Sequence, residues 1–166
     1  FFRYSSSHFL SSFKFSRSDH TLFDFRSTSA INKIILEYAQ LSPLEPIIIA
    51  IPELFCNSVI LSLSCDNVTF ISYECDEFLI PVSDSVLDIV NNNKLSFYFH
   101  VHYFGIYRRI PSALLKVLRK QGVLIIEDCV HSFSYPSNKP PFGDLLIFSL
   151  YKHFSLPYGA LVILRK

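Results

Sequence analysis

The sequence predicts an α/β domain of three layers, α/β/α, built on a mainly parallel sheet. Six short apolar runs rich in β-branched and aromatic residues alternate with segments whose apolar residues recur at helical spacing. Several runs carry almost no polar residue, which is typical of strands covered on both faces. This alternation favours parallel strands joined by helices, and such sheets bind ligands just beyond the carboxyl ends of their strands.

Each element is predicted from its own pattern. The strands are the apolar runs at 47–51, 68–73, 95–101, 123–127, 145–150 and 160–164. Helices are predicted where apolar residues form one stripe at a period of 3.6, at 29–41, 83–91 and 112–120, with a weaker helix at 54–64.

Composition narrows the class of protein. The 166 residues are 50% hydrophobic, which is enough for one sizeable core. The net charge of +1 comes from 15 basic and 14 acidic residues with no long run of either sign, so we expect no nucleic-acid partner and no membrane partner. No apolar run approaches the roughly 20 residues that cross a bilayer. The four cysteines lack a paired CxxC spacing, which favours a reducing compartment, and we expect a cytoplasmic protein.

The first 20 residues differ from the rest of the chain. They are rich in Ser, Phe and basic residues and have no acid before Asp19, a composition that also suits an organellar presequence. The chain contains no methionine, so we expect a fragment or a processed chain. We expect residues 1–20 to be an irregular N-terminal segment and residues 21–166 to form one domain.

Polar side chains follow four of the predicted strands and mark the candidate site. Glu53 follows the first strand and His102 follows the third. The fourth strand is followed by Glu127, Asp128 and His131, and the fifth by Ser149 and Lys152. There is no GxGxxG motif and no P-loop, which excludes the common dinucleotide and nucleotide cradles.

Asp128 and Lys152 together have the chemistry that pyridoxal phosphate requires. A lysine amine forms a Schiff base with the cofactor, and a buried carboxylate keeps the pyridine nitrogen protonated so that the ring accepts electrons. Each residue also has a structural interpretation, since Asp128 could cap a following helix and Lys152 could be a solvated surface charge.

Four segments in unbroken order carry a family resemblance. They are "IAIPELFCNSVI" at 49–60, "HYFG" at 102–105, "IIEDCVHS" at 125–132 and "FGDLLIFSLYKHFSLPYGALVIL" at 142–164. Together they resemble the DegT/DnrJ/EryC1/StrS family of fold-type I, pyridoxal-phosphate-dependent enzymes, which typically transfer an amino group to a nucleotide-linked keto-sugar. The resemblance implies a partial large domain at 21–166 without the small C-terminal domain. It also implies pyridoxal 5′-phosphate as cofactor, an amino donor and a keto-sugar as substrates, and a homodimer in the intact parent.

The resemblance also implies a role for individual residues. Asp128 matches the partner of the pyridinium nitrogen, His131 a residue near the phenolic oxygen, and Lys152 the Schiff-base lysine. The residues matched to phosphate binding are Ser149 and, at a helix N-terminus that favours anions, Thr28 and Ser29. The sequence departs from the family's pattern in the short Ser149-x-x-Lys152 spacing, in Ser27 where a glycine is usual, and in Cys56 where a stacking aromatic is expected.

Two alternatives stay open from the sequence. The chain could be an inactive, truncated relic of such an enzyme. Alternatively, His100 and His102 project to the same face of a strand, and with Glu127 or Asp128 on a neighbouring strand they could bind a metal for hydrolysis.

Overall fold

Within the described residues, 21–63 and 67–165 of a computed structural model, seven strands form one sheet. The predicted irregular segment at 1–20 lies outside the described residues. Across the sheet the order is β1-β7-β6-β5-β4-β2-β3. The strands are β1 (Thr21–Asp24), β2 (Ile47–Pro52), β3 (Val68–Tyr73), β4 (Phe97–Val101), β5 (Leu124–Asp128), β6 (Leu145–Ser149) and β7 (Ala160–Leu164).

The sheet is mainly parallel, as predicted. The neighbours from β3 through β2, β4 and β5 to β6 all run in the same direction. Strand β7 is antiparallel to both of its neighbours, β6 and β1. Two reversals restore the direction, so β1 runs the same way as β2 to β6, and its carboxyl end lies at the same edge of the sheet.

Helices cover both faces of the sheet and complete the three predicted layers. They are α1 (Ser27–Leu41), α2 (Asn57–Ser62), α3 (Ser83–Asn92) and α4 (Ser112–Lys120). Apolar residues of α1 and α2 form one core with one set of strand residues, and those of α3 and α4 form a second core with the alternate set. We call these two sides of the sheet the α1 face and the α3 face. None of the helices in the described ranges is long and apolar enough to cross a membrane.

Strand alternation decides which side chain enters which core. Phe97 and Phe99 of β4 are fully buried on the α1 face, whereas Tyr98 between them is fully buried on the α3 face. Burying a large apolar side chain of this kind stabilises a fold by roughly 1.5–3 kcal/mol. The two cores therefore fix the sheet between the helix layers and leave its carboxyl edge free for polar residues.

Two elements differ from the predictions. Strand β1 was not predicted, because its four residues lie at the edge of the sheet and Phe23 in it is exposed. The weak helix predicted at 54–64 is shorter, Asn57–Ser62. The other strands and helices begin and end within two residues of their predicted bounds.

Candidate active site

Asp128 and Ser149 end two neighbouring parallel strands, and both side chains point to the α1 face. Asp128 continues the alternation of Leu124 and Ile126, and Ser149 continues that of Leu145 and Ile147. Both are buried, with exposures of 5% and 0%. The sheet therefore presents a carboxylate and a hydroxyl side by side at its carboxyl edge.

The N-terminus of α1 lies at the same edge and on the same face. Ser149 pairs with Ala160 of β7, and Ala160 pairs with Asp24 of β1, three residues before the helix begins. Two backbone hydrogen bonds of 2.8 Å extend this row, from Leu150 N to the Gly159 carbonyl and from Gly159 N to the carbonyl of residue 25. The start of α1 is thus held two strands away from Ser149.

Within the described ranges, the first turn of α1 has backbone N–H groups without a hydrogen-bond partner. The first hydrogen bond of the helix runs from Ala30 N to the Arg26 carbonyl, at 3.0 Å. The N–H groups of Ser27, Thr28 and Ser29 therefore have no carbonyl acceptor within the helix. There is no acidic residue in this turn. Burial would raise the pKa of Asp24, but the Lys33 ammonium, 2.7 Å from Asp24 Oδ2, and the Ser29 hydroxyl together lower it. This geometry suits an anion held by backbone amides, and among the side-chain hydroxyls it favours Thr28.

Ser149 has a polar atom without a partner. Its Oγ is fully buried and makes no hydrogen bond with any of the described residues. Leaving a buried hydroxyl unsatisfied costs free energy, and each such atom in a native structure calls for an explanation. A ligand oxygen at this point would satisfy it, so Ser149 fits the phosphate contact that the resemblance implies.

Asp128 is held as a nearly desolvated carboxyl group. Its Oδ1 accepts a hydrogen bond of 3.0 Å from Val130 N. Burial raises the pKa of this carboxyl, and the hydrogen bond from Val130 and the positive charge of Lys152 offset the effect only in part. A protonated ring nitrogen placed against Asp128 would supply the missing counter-charge.

Lys152 ends a short 3-10 helix, Leu150–Lys152, directly after β6, and its side chain is exposed. Its positive charge favours a lower pKa at three side chains: it opposes part of the rise that burial causes at Asp128, and it adds to the lowering that burial causes at His131 and that the Ser58 hydrogen bond causes at Cys56. Lys152 thus follows the strand that neighbours β5, and its charge acts on the predicted partners Asp128 and His131.

His131 lies in the turn after β5 and is fixed by the turn after β4. Its Nδ1 accepts a hydrogen bond of 3.3 Å from Phe104 N, and the two rings are parallel within 15°. Gly105 has φ of +75°, and a Cβ there would lie 2.8 Å from the His131 carbonyl oxygen, so only glycine fits. Burial and the charges of Lys152 and His153 lower the pKa of His131. Since Nδ1 accepts, the neutral ring carries its proton on Nε2 and can donate from there.

The aromatic ring expected for stacking is not supplied from position 56. Cys56 is exposed at the start of α2, and its Sγ lies 3.0 Å from the Ser58 hydroxyl. The adjacent Phe55 packs edge-on against Phe99, with ring centroids 5.2 Å apart, as part of the core on the α1 face.

The sequence marks Glu127 as a strand-end residue and a possible metal ligand, but it does not reveal the buried hydrogen-bond network around this side chain. The side chains of Glu127 and His102 have no exposed surface, and Oε2 of Glu127 lies 2.8 Å from Nε2 of His102. The same oxygen accepts from the Tyr135 hydroxyl at 2.7 Å, and Oε1 accepts from Phe142 N and Gly143 N at 2.7 and 2.6 Å. Burial alone would raise the pKa of Glu127, but these hydrogen bonds outweigh it and lower the pKa.

The alternative metal site is not assembled. His100 and His102 do project to the same face, with ring centroids 4.9 Å apart. His102 uses Nε2 for Glu127, and its Nδ1 accepts from Arg108 N at 3.4 Å; His100 Nε2 bonds the Arg108 carbonyl at 2.9 Å. Over the described ranges, no group of three or more His, Cys, Asp or Glu side chains could hold a metal ion.

Comparison with solved structures defines the class of fold. No protein-family model matches the sequence, and no curated protein matches it. The chain is similar to PseC of Helicobacter pylori, an aminotransferase involved in the biosynthesis of pseudoaminic acid (18% identity, TM-score 0.69, covering 89% of this chain and 40% of that one). It is also similar to the sphingosine-1-phosphate lyase Bpss2021 of Burkholderia pseudomallei (14% identity, TM-score 0.70, covering 95% of this chain and 41% of that one). A third similar structure is NtdA of Bacillus subtilis, solved with bound cofactor PMP (11% identity, TM-score 0.69, covering 88% of this chain and 33% of that one).

These likenesses establish the fold. The chain has the three-layer fold of fold-type I pyridoxal-phosphate enzymes, as the sequence resemblance predicted. It spans about two fifths of the length of PseC and of the lyase. The sugar aminotransferases of the DegT/DnrJ/EryC1/StrS type, to which the four sequence segments point, are among the proteins that share this fold.

Proposed function

We propose that residues 21–166 are the cofactor-binding part of the large domain of a pyridoxal-phosphate-dependent aminotransferase of the DegT/DnrJ/EryC1/StrS type. The intact protein would be a homodimer that transfers an amino group from an amino acid to a nucleotide-linked keto-sugar. One observation carries the proposal: the buried carboxylate of Asp128, the unpartnered hydroxyl of Ser149 and the free N-terminus of α1 lie on one face at one edge of the sheet.

Phosphate binding falls to the hydroxyl of Ser149 and the first turn of α1. The backbone N–H groups of Thr28 and Ser29 point out of the helix, where the helix dipole favours an anion. Ser149 Oγ, otherwise unsatisfied, would donate to a phosphate oxygen.

Asp128 and His131 would hold the ring of the cofactor. When bound, pyridoxal phosphate supplies an aldehyde that links covalently to amino groups and a ring that accepts electrons. The Asp128 carboxylate would accept a hydrogen bond from the protonated ring nitrogen, and the Nε2–H of His131 would donate to the phenolic oxygen. The positive charge of Lys152 favours a lower pKa at both side chains, which supports a shared site.

Lys152 would be the catalytic residue. Its Nζ is the primary amine for covalent attachment, and after displacement by the amino donor it would carry a proton between the two carbons that exchange it. The lyase neighbour shows that this fold also serves other reactions, so assays with amino donors and keto-sugars are needed to establish amino transfer.

Trapping of the cofactor tests the proposal. The purified chain is titrated with pyridoxal phosphate by absorbance, reduced with borohydride and mapped by mass spectrometry. We expect the label on Lys152 and its loss in Lys152→Ala. Lys116→Ala, which removes an exposed lysine of α4, is the matched control and should keep the label. Label spread equally over the lysines would refute a competent site and favour the inactive relic.

A further inference from the structure

We infer that Glu127 is a positioning residue for Asp128. Its carboxylate locks the ends of β4 and β5 to each other and to the segment that enters β6, and so fixes where the Asp128 carboxylate meets a pyridine nitrogen. This inference rests on the proposed function, and it concerns a side chain on the opposite face of the sheet from the cofactor.

The connection between the two acidic residues runs through His102. The backbone N–H of His102 donates to the Asp128 carbonyl at 3.0 Å, while its imidazole Nε2 lies 2.8 Å from Glu127 Oε2. One residue after β4 therefore holds two successive residues of β5, one through its backbone and one through its side chain. Displacing the Glu127 side chain removes the shorter of the two hydrogen bonds that fix the His102 ring, and so loosens the residue that holds the Asp128 carbonyl.

The other carboxylate oxygen connects β5 to β6. Oε1 of Glu127 accepts from the N–H groups of Phe142 and Gly143, and the next residue, Asp144, donates its N–H to the Ile125 carbonyl at 2.8 Å. This segment leads directly into the strand that ends at Ser149. Glu127 thus joins the strands that carry both cofactor-facing side chains.

Only a carboxylate satisfies the four partners. The Nδ1 of His102 accepts from Arg108 N, so its Nε2 carries the proton and donates to Glu127. All four partners of Glu127 are then donors, and a carboxylate has acceptor sites for all of them. In Glu127→Gln the amide NH₂ would face two of the four donors, whichever oxygen it replaces, so the network breaks while the side-chain volume stays nearly the same.

A pair of cofactors that differ only at the ring nitrogen tests the inference. Affinities are measured by absorbance for pyridoxal 5′-phosphate and for its 1-deaza analogue, in which a C–H group replaces the nitrogen. A hydrogen bond to a charged group should give the parent chain a roughly ten- to hundredfold preference for the natural cofactor. In Glu127→Gln we expect this preference to fall below about threefold, while the affinity for inorganic phosphate changes by less than about twofold. A general loss of stability would weaken both cofactors equally and leave the preference unchanged.

Two further variants keep the result decisive. Asp128→Asn should abolish the preference; if it does not, or if the parent chain shows none, the proposed function fails. Tyr135→Phe removes only the half-buried donor to Glu127 and should lower the preference in part, so it decides the question if Glu127→Gln does not fold by circular dichroism. A full preference in every Glu127 or Tyr135 variant that folds, with Asp128→Asn behaving as expected, would overturn the inference.

Discussion

Replacing Gly143 by alanine should destabilise the domain by about 2–4 kcal/mol, because the added methyl group has no space. The Cβ would lie 2.9 Å from Glu127 Cγ and 3.0 Å from the Ile125 carbonyl oxygen, whereas ordinary contacts begin near 3.4 Å. Neither neighbour can move away easily, since Glu127 is held by four hydrogen bonds and Ile125 belongs to the central sheet.

Two costs add up to this magnitude. Overpacking a tight site costs roughly 1–3 kcal/mol. Pushing Gly143 N away from the Glu127 carboxylate also weakens a hydrogen bond to a charged group, worth about 1.5–3 kcal/mol when fully lost. For a chain of this size the melting temperature should fall by roughly 5–12 °C.

Urea unfolding followed by far-UV circular dichroism measures the effect. Gly122→Ala is the control: it has open space around the new Cβ but a φ of +73°, so it should cost only the roughly 1–2 kcal/mol of a left-handed conformation. The double variant Gly143→Ala with Glu127→Gln should be non-additive, because both changes act on one contact. A Gly143→Ala variant within about 0.5 kcal/mol of the parent would refute the reasoning.

Three further predictions follow from single side chains. Asp128→Asn should make the cofactor-free chain more stable at neutral pH, since burial raises the pKa of this carboxyl; urea unfolding should show the advantage shrinking as the pH falls toward the unfolded value of about 3.9. Ser149→Ala should leave the free energy of unfolding unchanged or slightly higher, because the lost hydroxyl has no partner, yet weaken phosphate binding several-fold by calorimetry. Iodoacetamide should alkylate Cys56 well before Cys129 in a timed peptide map, because a serine hydroxyl bonded to the Cys56 sulfur lowers the pKa of that thiol while burial raises the pKa of Cys129. Lys152→Ala should slow the reaction at Cys56, since it removes a positive charge that favours the thiolate. Equal rates at the two cysteines would contradict this prediction.

Most of the fold could be predicted because its strands are buried on both faces. Runs such as those of β2 and β6 leave no ambiguity about burial, and the helices between them carry clear stripes. The direction of β7 could not be predicted, because an apolar run carries no information on which way the strand runs. Strand β1 joins the sheet by pairing with β7, a contact between distant parts of the chain that a local pattern does not encode.

The candidate site was predictable in part for the same reason. Asp128 and Ser149 were candidates because parallel sheets bind ligands beyond the carboxyl ends of their strands. Strand alternation also implies that Glu127 and Asp128 face opposite sides of the sheet. The partnership of Glu127 with His102 depends on the register of β4 against β5, which pairs Val101 with Asp128. Tyr135 comes from a turn with no periodic signal, so its contact with Glu127 emerges only in three dimensions.

The reversal between β6 and β7 also shapes how the site would come together during folding. Residues 150–159 close a short hairpin that carries Lys152, sealed by the hydrogen bond from Leu150 to Gly159. Bringing Thr28 to Ser149 closes a loop roughly tenfold longer, at an additional entropic cost of about 2 kcal/mol. Loop closure therefore favours early, local placement of the lysine and late, long-range placement of the N-terminus of α1, so we expect a ligand that bridges them to act chiefly by slowing unfolding.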